Sequence, residues 1–212
     1  MTHIAIIDYG MGNLRSVAKA LEHVAPKARV SVTQDRREIL RADRVVFPGQ
    51  GSIRDCMSNL ARWELVDAVR EAARGKPFLG LCLGPQALLT FSEENGGIDC
   101  LNVLPGRVAW FGAPRDAASG ERLKVPHMGW NQVQQTREHP LWRGVAPDSR
   151  FYFVHSYYPQ PADALLTLGQ TCYGFTFASV IGRDNVFAAQ FHPEKSAQAG
   201  LRLLANFSDW NP

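Results

Sequence analysis

Cys82 stands between two glycines in segment 80–84 (Gly-Leu-Cys-Leu-Gly), at the end of an apolar run that begins at Pro77. Glycines relieve steric crowding around a residue held in a tight strand-to-helix turn, so the central side chain stands clear at the end of a sheet. The N-terminal amides of a following helix favour an anion, and the thiolate is the reactive form of cysteine. The segment therefore predicts a nucleophile; the alternative is a buried structural cysteine.

A second motif near the C-terminus, His192-Pro193-Glu194, follows the strand-like run Val186–Phe191. Proline pushes the preceding residue toward extended conformations, which predicts that His192 and Glu194 project to the same side of an extended segment. The carboxylate would then hold one imidazole nitrogen and leave the other to exchange a proton with a thiol. Alone, the pair would suit a surface loop, but the cysteine motif favours the chemical interpretation.

A thiol that attacks a carbonyl group also needs hydrogen-bond donors for the oxyanion. The backbone N–H of Leu83 directly follows the nucleophile, and a second donor is expected from the Gly-rich loop 48–51, which contains Gly49 and Gln50. Glycines allow close backbone approach, although an ordinary turn between a strand and a helix has the same composition.

Strands and helices are predicted to alternate in the first half of the chain. The predicted strands are His3–Asp8, Arg29–Thr33, Arg44–Phe47 and Phe78–Leu81, and the predicted helices are Asn13–Val24, Arg36–Arg41 and Leu60–Arg74. This alternation indicates a parallel sheet covered by helices on both faces. Both motifs follow predicted strands, at the sheet edge where such folds collect their active sites.

Beyond about Gly96 the pattern changes to short apolar runs separated by turn residues, which predicts antiparallel hairpins added to the parallel sheet. Residues 113–120 are predicted to form an exposed loop, and a final helix is predicted to begin at Ser196 as its N-cap. We expect one domain over residues 1–212, with an open, mostly parallel α/β sheet, helices on both faces and added antiparallel strands.

Composition excludes several classes of protein. The 23 basic and 20 acidic residues leave a net charge of +3, too small an excess to predict nucleic-acid binding. With 45% hydrophobic residues and no predicted signal or membrane-spanning segment, we expect a soluble, cytoplasmic protein. The four cysteines lack metal-ligand spacing, so we expect free thiols and no metal site.

Segment 80–86 and His192-Pro193-Glu194 together resemble the class I (triad) glutamine amidotransferases. Segments 8–17, 126–131 and 152–157 narrow the resemblance to the glutaminase subunits of imidazole glycerol phosphate synthase, an enzyme of histidine biosynthesis, and the similarity extends over essentially the whole chain. The resemblance implies a flavodoxin-like fold and no cofactor.

The resemblance also implies roles for individual residues. Cys82 would attack the carboxamide of L-glutamine, His192 would pass a proton to the leaving ammonia, and Glu194 would orient His192. The oxyanion donors would be the amides of Leu83 and, after a peptide rearrangement beside Gly49, of Gln50. The residues matching substrate-contacting positions are Gln86, Glu94, Ser156 and Tyr157. Glu94 would pair with the substrate α-ammonium, or would be only a solvated carboxylate at a helix end.

A (β/α)8-barrel synthase subunit is the partner that the resemblance implies, forming a heterodimer. Ammonia released into water would be protonated, so a closed passage into the partner preserves its nucleophilicity. The residues matching interface positions are Met128, Trp130, Asn131, Tyr152 and Lys195. Core packing is the alternative for Trp130 and Tyr152.

Other groups are expected to be structural. We assign His127 and His155 to structural roles and the remaining cysteines to packing. Pro85 and Gln50 depart from the residues that the family more often has, methionine and valine. The alternatives left open are a glutaminase subunit of another amidotransferase, serving anthranilate or pyridoxal phosphate synthesis, and a non-catalytic assembly subunit of the same fold.

Overall fold

The computed structural model describes residues 1–212. The strands are β1 (His3–Ile7), β2 (Arg29–Thr33), β3 (Arg44–Phe47), β4 (Phe78–Leu81), β5 (Phe91–Ser92), β6 (Ile98–Asp99), β7 (Gly106–Trp110), β8 (His127–Gln132), β9 (Gln134–Gln135), β10 (Arg150–His155), β11 (Tyr157–Pro161), β12 (Thr167–Cys172), β13 (Thr176–Arg183) and β14 (Val186–Ala189). The α-helices are α1 (Leu14–Val24), α2 (Arg36–Arg41), α3 (Ile53–Arg62), α4 (Val66–Gly75), α5 (Gly84–Ala87) and α6 (Ala197–Asp209). Short 3-10 turns cover Glu94–Gly96, Pro140–Trp142, Ala164–Leu166 and Pro193–Lys195.

The main sheet has eight strands in the order β2-β1-β3-β4-β14-β13-β12-β9. The pairings from β2 to β14 are parallel, and those from β14 to β9 are antiparallel. This confirms the predicted fold class, an open, mostly parallel sheet with added antiparallel strands. The loops that follow β1, β3, β4 and β14 lie together at the carboxyl ends of these strands. Open parallel sheets bind their ligands at this edge.

Two hydrophobic layers cover the sheet, one on each face. Side chains alternate along a strand, so Ile4 and Ile6 of β1 face one layer and Ile7 faces the other. One layer contains apolar residues of α3 and α4, and the other contains those of α1 and α6. Helices on both faces explain why the central strands are buried throughout.

The single helix predicted over Leu60–Arg74 is wrong, because two helices occupy this region. Glu64 has φ +55°, a left-handed conformation that an α-helix cannot contain, so α3 ends at Arg62 and α4 begins at Val66. The apolar spacing from Leu60 onward continues through this break, which hid it in the sequence. The prediction also missed most of α3, which begins at Ile53 after the N-cap Ser52, whose hydroxyl oxygen accepts the Asp55 N–H.

The second half only partly follows the hairpin prediction. β12, β13 and β14 form hairpins and extend the main sheet, as expected. However, β8 and β10 form a separate two-stranded sheet, and β11, β7, β5 and β6 form another of four strands. Residues 113–120 form a mostly exposed loop closed by a bridge between Arg115 and Arg122. None of the helices has the length and apolar character needed to cross a membrane.

Arg44 fastens the C-terminal end of α6 to the sheet. It is 6% exposed, and its Nε donates to the carbonyl oxygens of Phe207 (3.2 Å) and Ser208 (2.7 Å). Its Nη2 donates to the side chain of Asn211 (3.0 Å). The last carbonyls of a helix lack intrahelical partners and carry partial negative charge, so a buried guanidinium both satisfies and neutralises them.

Replacing Arg44 with methionine, which keeps an unbranched chain but no donor, should lower the free energy of unfolding by about 2 kcal/mol. Urea denaturation measures this loss. The matched control is Arg41→Met, at an exposed arginine, which should change stability by no more than about 0.5 kcal/mol. Equal stability of the two variants would contradict the proposed role of Arg44.

Candidate active site

Cys82 lies in a sharp turn between β4 and α5. Its φ is +55°, in the left-handed region that non-glycine residues seldom adopt, and its N–H donates to the Ala189 carbonyl (2.8 Å). A Cβ on Gly84 would lie 2.8 Å from the Phe47 carbonyl oxygen, so only glycine fits there. The helix after Cys82 is a single turn, so the helix support predicted from the sequence is confined to four residues.

His192 and Glu194 meet as a buried pair beside Cys82. The His192 Nδ1 lies 2.9 Å from the Glu194 Oε1, and the two side chains are 5% and 1% exposed. The prediction of an extended segment here is partly wrong. His192 itself is extended, but Pro193–Lys195 forms a 3-10 turn. The turn still brings the two side chains together, because a tight turn shortens the separation of residues two apart.

The surroundings of His192 favour its protonated form. Burial acts to lower its pKa, but the neighbouring Cys82 and Glu194 outweigh burial and raise the pKa above its ordinary value. The other Glu194 oxygen and the His192 Nε2 are buried and have no hydrogen-bond partner in the protein. Nδ1 is committed to the carboxylate, so Nε2 is the nitrogen left to exchange a proton with the thiol or a substrate.

The backbone of His192 is held by β10 and by Ser196. The His192 N–H donates to the Tyr152 carbonyl (2.9 Å), and the Ser196 hydroxyl donates to the His192 carbonyl (2.6 Å). The same hydroxyl accepts from the Tyr152 N–H (3.0 Å). Ser196 precedes α6 as predicted, but its side chain makes no capping hydrogen bond. Its hydroxyl positions the histidine instead, a role that its sequence neighbourhood did not reveal.

Free backbone donors lie on the other side of Cys82. The N–H groups of Leu83, Gly49 and Gln50 donate to no acceptor in the protein. A Cβ on Gly49 would lie 2.8 Å from the Leu83 Cβ and would also clash with the Tyr9 hydroxyl, so the loop packs directly against the residue after the nucleophile. Tyr9 fixes this loop from below, because its hydroxyl donates to the Pro48 carbonyl (3.0 Å). Sequence analysis missed this role of Tyr9.

A pocket of about 370 Å³ opens above Cys82. It is lined by Cys82, Leu83, Gln50 and His192, by Lys195, and by all four expected substrate contacts, Gln86, Glu94, Ser156 and Tyr157. This volume suits a small metabolite. A cavity of about 420 Å³ near the β13–β14 turn, at the opposite edge of the sheet, includes Arg137, Asp163 and Arg183 but no cysteine.

Glu94 serves both the pocket and the fold. Its Oε2 accepts the backbone N–H of Ile53 (2.8 Å) at the start of α3, and the residue is half-buried. A carboxylate at this place is stabilised by the helix N-terminus. One oxygen therefore fastens α3, and the same carboxylate lines the pocket, where a cationic group could pair with it.

Gln86 and Gln190 form a buried amide pair under the nucleophile. The Gln86 Nε2 donates to the Tyr157 carbonyl (3.0 Å) and to the Gln190 Oε1 (2.9 Å). The Gln190 Nε2 donates to the Cys82 carbonyl (2.8 Å). Both amide hydrogens of Gln86 are thus used within the protein, which leaves its oxygen for a ligand. Sequence analysis missed Gln190, whose signal was a single amide inside the apolar run 186–191.

His127 and His155 form a second buried pair. The His155 Nδ1 lies 2.7 Å from the Tyr157 carbonyl, which can only accept, so Nδ1 carries the proton. The His155 Nε2 then accepts from the His127 Nδ1 (3.0 Å), and the His127 Nε2 accepts from the Asn131 amide (3.2 Å). Burial lowers the pKa of His127 to about 4 and that of His155 to about 3. Both imidazoles are therefore neutral, in line with the structural roles expected.

The neutral histidine pair should make stability depend on pH. A histidine with a lower pKa in the folded than in the unfolded protein binds fewer protons when folded, so this contribution is complete above about pH 6.5 and lost as pH falls toward about 4. We expect the free energy of unfolding to fall over this range, and to fall less steeply in His155→Phe. The control is His23→Phe, at an exposed histidine. Urea denaturation at several pH values tests this, and identical slopes in all three proteins would contradict it.

The sheet of β8 and β10 exposes an aromatic face. Met128 and Trp130 are 60% and 46% exposed, so core packing is wrong for Trp130. Trp130 pairs with Tyr152 across the strands, their rings 6.2 Å apart, and the Lys195 ammonium lies 6.0 Å from the Tyr152 ring. We call these four residues the outer face. Asn131 instead lies on the opposite side of β8 with His127 and also donates to the Cys172 carbonyl (2.9 Å).

Comparisons with known proteins identify the family. Residues 5–209 match the family model of glutamine amidotransferase class I. The subunit HisH of imidazole glycerol phosphate synthase from Nitrosococcus oceani is 58% identical over 100% of this chain and 99% of its own length. The same subunit from Aromatoleum aromaticum is 57% identical over the full length of both.

Solved structures agree in fold. PurLQS from Thermotoga maritima has a TM-score of 0.74 at 16% identity, covering 98% of both chains. A glutamine amidotransferase from Thermotoga maritima has a TM-score of 0.65 at 16% identity, covering 98% of this chain and 83% of its own. The full-length family match and these relatives show that the chain belongs to the class I glutamine amidotransferases and, within them, to the HisH subunits of imidazole glycerol phosphate synthase.

Proposed function

We propose that this chain is the glutaminase subunit of an imidazole glycerol phosphate synthase, and that it hydrolyses L-glutamine to glutamate and ammonia through Cys82. The observation that carries the mechanism is the arrangement around one small pocket of a strained cysteine, a buried histidine-carboxylate pair and unengaged backbone N–H groups. The relatives named as HisH subunits, similar over their full length, support the pathway.

The first half-reaction forms a thioester. The Cys82 thiolate attacks the side-chain carbonyl carbon of glutamine, and the new S–C bond places negative charge on the carbonyl oxygen. The N–H groups of Leu83 and of the Gly49–Gln50 loop stabilise this oxyanion. His192, protonated beside Glu194, gives its Nε2 proton to the leaving nitrogen. The C–N bond then breaks and ammonia departs. The γ-glutamyl group stays bound to Cys82 as a thioester.

The second half-reaction restores the enzyme. Neutral His192 takes a proton from a water molecule, whose oxygen attacks the thioester carbonyl. The S–C bond breaks, glutamate leaves, and the thiolate-imidazolium pair is regenerated. Glu194 stays hydrogen-bonded to Nδ1 in both steps (2.9 Å), which keeps the same nitrogen directed at the reacting atoms.

The remaining pocket residues would hold the amino-acid end of the substrate. We assign the Glu94 carboxylate to the α-ammonium group, because it is the acidic side chain among the lining residues. The Gln86 oxygen, together with Ser156 and Tyr157, supplies further polar contacts. Residues 1–212 would form a single domain, because both hydrophobic layers pack on the same sheet.

The partner would be a (β/α)8-barrel synthase that receives ammonia in a cytoplasmic heterodimer. The outer face supplies exposed methionine and aromatic side chains of the kind that protein interfaces concentrate. This face is continuous with the pocket, because Lys195 lines the pocket beside Tyr152. Pro126 and Ser156 line both the pocket and a groove that includes Met128. Ammonia would therefore leave toward the partner.

Cys82→Ser should lower the rate of glutamate production from glutamine by at least about 10³-fold, because an alkoxide does not form beside the histidine as a thiolate does. The rate is measured in the complex with the barrel synthase and its nucleotide. The control is Cys172→Ser, at an exposed cysteine, which should retain normal activity. The assay is repeated without synthase. Retained activity in Cys82→Ser would overturn the mechanism, and no activity in the wild-type complex would overturn the function.

Gly49→Ala should leave the protein folded but lower glutaminase kcat by about 10- to 100-fold, because the methyl group would push the loop away from Leu83 and misplace its N–H groups. Gly75→Ala is the matched control, since a Cβ there meets no atom within 4 Å. Steady-state kinetics and circular dichroism separate loss of the site from loss of the fold. Equal kcat values for the two variants would contradict a role of this loop as oxyanion donor.

A further inference from the structure

The peptide group that follows the nucleophile has a hydrogen bond at its carbonyl but none at its N–H. The carbonyl of the Cys82–Leu83 peptide accepts the Gln190 amide (2.8 Å), whereas its N–H, that of Leu83, has no partner in the protein. A trans peptide is planar, so its carbonyl and N–H point in opposite directions along one axis. Any group that fixes the carbonyl therefore also fixes where the N–H points.

Gln190 is well placed to fix this carbonyl. Its side chain is fully buried and held from the other side, because its Oε1 accepts the Gln86 amide (2.9 Å). Its backbone N–H donates to the Ser179 carbonyl of β13 (2.8 Å), which anchors the residue at the end of β14. The direction of the oxyanion donor thus depends on a rigid amide rather than on the one-turn helix α5.

The same hydrogen bonds continue as far as the β8–β10 sheet. Gln86 and His155 both donate to the Tyr157 carbonyl (3.0 and 2.7 Å). His155 accepts from His127, which accepts from Asn131 on β8. Every donor and acceptor role in this series is set by the carbonyl in its middle, so only one pattern of protons satisfies it. We call these four side chains, together with Gln190, the polar chain.

We propose that Gln190 is a positioning residue that aims the Leu83 N–H at the oxyanion, and that the polar chain behind it couples the β8–β10 sheet to this donor. The proposal rests on the proposed glutaminase function, in which this N–H stabilises the reaction's negative charge. β8 carries Asn131 on its inner side and Met128 and Trp130 on its outer face. A partner pressing on the outer face would shift the strand that holds the end of the polar chain.

The polar chain is suited to carry such a shift because Gln190, Gln86, His155 and His127 are buried and each is hydrogen-bonded to the next link. Moving one of these groups costs a hydrogen bond unless the next one follows. His127 also stacks on Phe153 and Tyr173, with ring centroids 4.8 and 4.1 Å apart, which holds its ring in place. Coupling between the two regions is thus carried by contiguous, rigid contacts.

The first test compares two reactions of Cys82 in Gln190→Met. Alkylation by iodoacetamide displaces iodide at a saturated carbon and develops no oxyanion, whereas glutamine hydrolysis does. We expect kcat of the synthase complex to fall about 10- to 100-fold with KM nearly unchanged, while the alkylation rate stays close to that of the wild type. Gln198→Met, at an exposed glutamine of α6, is the control.

The outcomes separate this inference from the function on which it rests. An active wild type with an equally active Gln190→Met would overturn the inference alone. A parallel loss of alkylation and hydrolysis would also overturn it, because it would indicate general damage to the site. An inactive wild-type complex would overturn the proposed function together with the inference.

The second test breaks the far end of the polar chain at the half-buried Asn131. Asn131→Leu should bind the synthase with unchanged affinity, since the side chain lies on the inner side of β8, but should lower the stimulated kcat about 3- to 10-fold at unchanged KM. Gln134→Leu, at an exposed glutamine of β9, is the control. An unchanged stimulated kcat in Asn131→Leu, with binding intact, would overturn the coupling.

Discussion

The left-handed backbone at Cys82 is the constraint on which the site depends. A non-glycine residue in this conformation costs about 1–2 kcal/mol, so the surrounding structure must hold it. Three contacts do so: the Cys82 N–H bonds to β14, its carbonyl bonds to Gln190, and Gly84 lets the next turn approach the end of β3. The strain lifts the thiol into the pocket and turns the following N–H toward it, so one backbone arrangement provides both nucleophile and oxyanion donor.

His192 and His155 differ in protonation although both are buried. His192 and His155 are both almost inaccessible to water, and burial alone would keep each neutral. His192 has a carboxylate and a thiol as neighbours, so it favours the proton. His155 contacts a carbonyl, another imidazole and aromatic rings, and the nearby His192 also disfavours a positive charge on it, so it stays neutral and acts as a fixed hydrogen-bond link. The neighbours, rather than the residue type, separate a proton donor from a structural element.

Sequence reasoning predicted the parts of this molecule that are local or periodic. The central strands and the glycines around Cys82 leave direct signals in residue spacing, and the predicted fold class is confirmed. The break at Glu64 was hidden because the apolar spacing continues across it. Tyr9, Gln190 and Ser196 contact Pro48, Gln86 and Tyr152, which lie 39, 104 and 44 positions away along the chain, respectively. No local pattern encodes such long-range contacts.

The alternation of β8 explains how one short strand can serve both a surface and a site. Successive side chains point to opposite sides, so Met128 and Trp130 face outward while His127 and Asn131 face the polar chain. The paired strand β10 repeats this division, and the backbone of Tyr152 also bonds to His192. A displacement of this two-stranded sheet therefore reaches the proton donor directly and the oxyanion donor through Gln190. This two-stranded sheet has no strand pairing with the main sheet, and it meets the strands that hold Cys82 through side-chain packing.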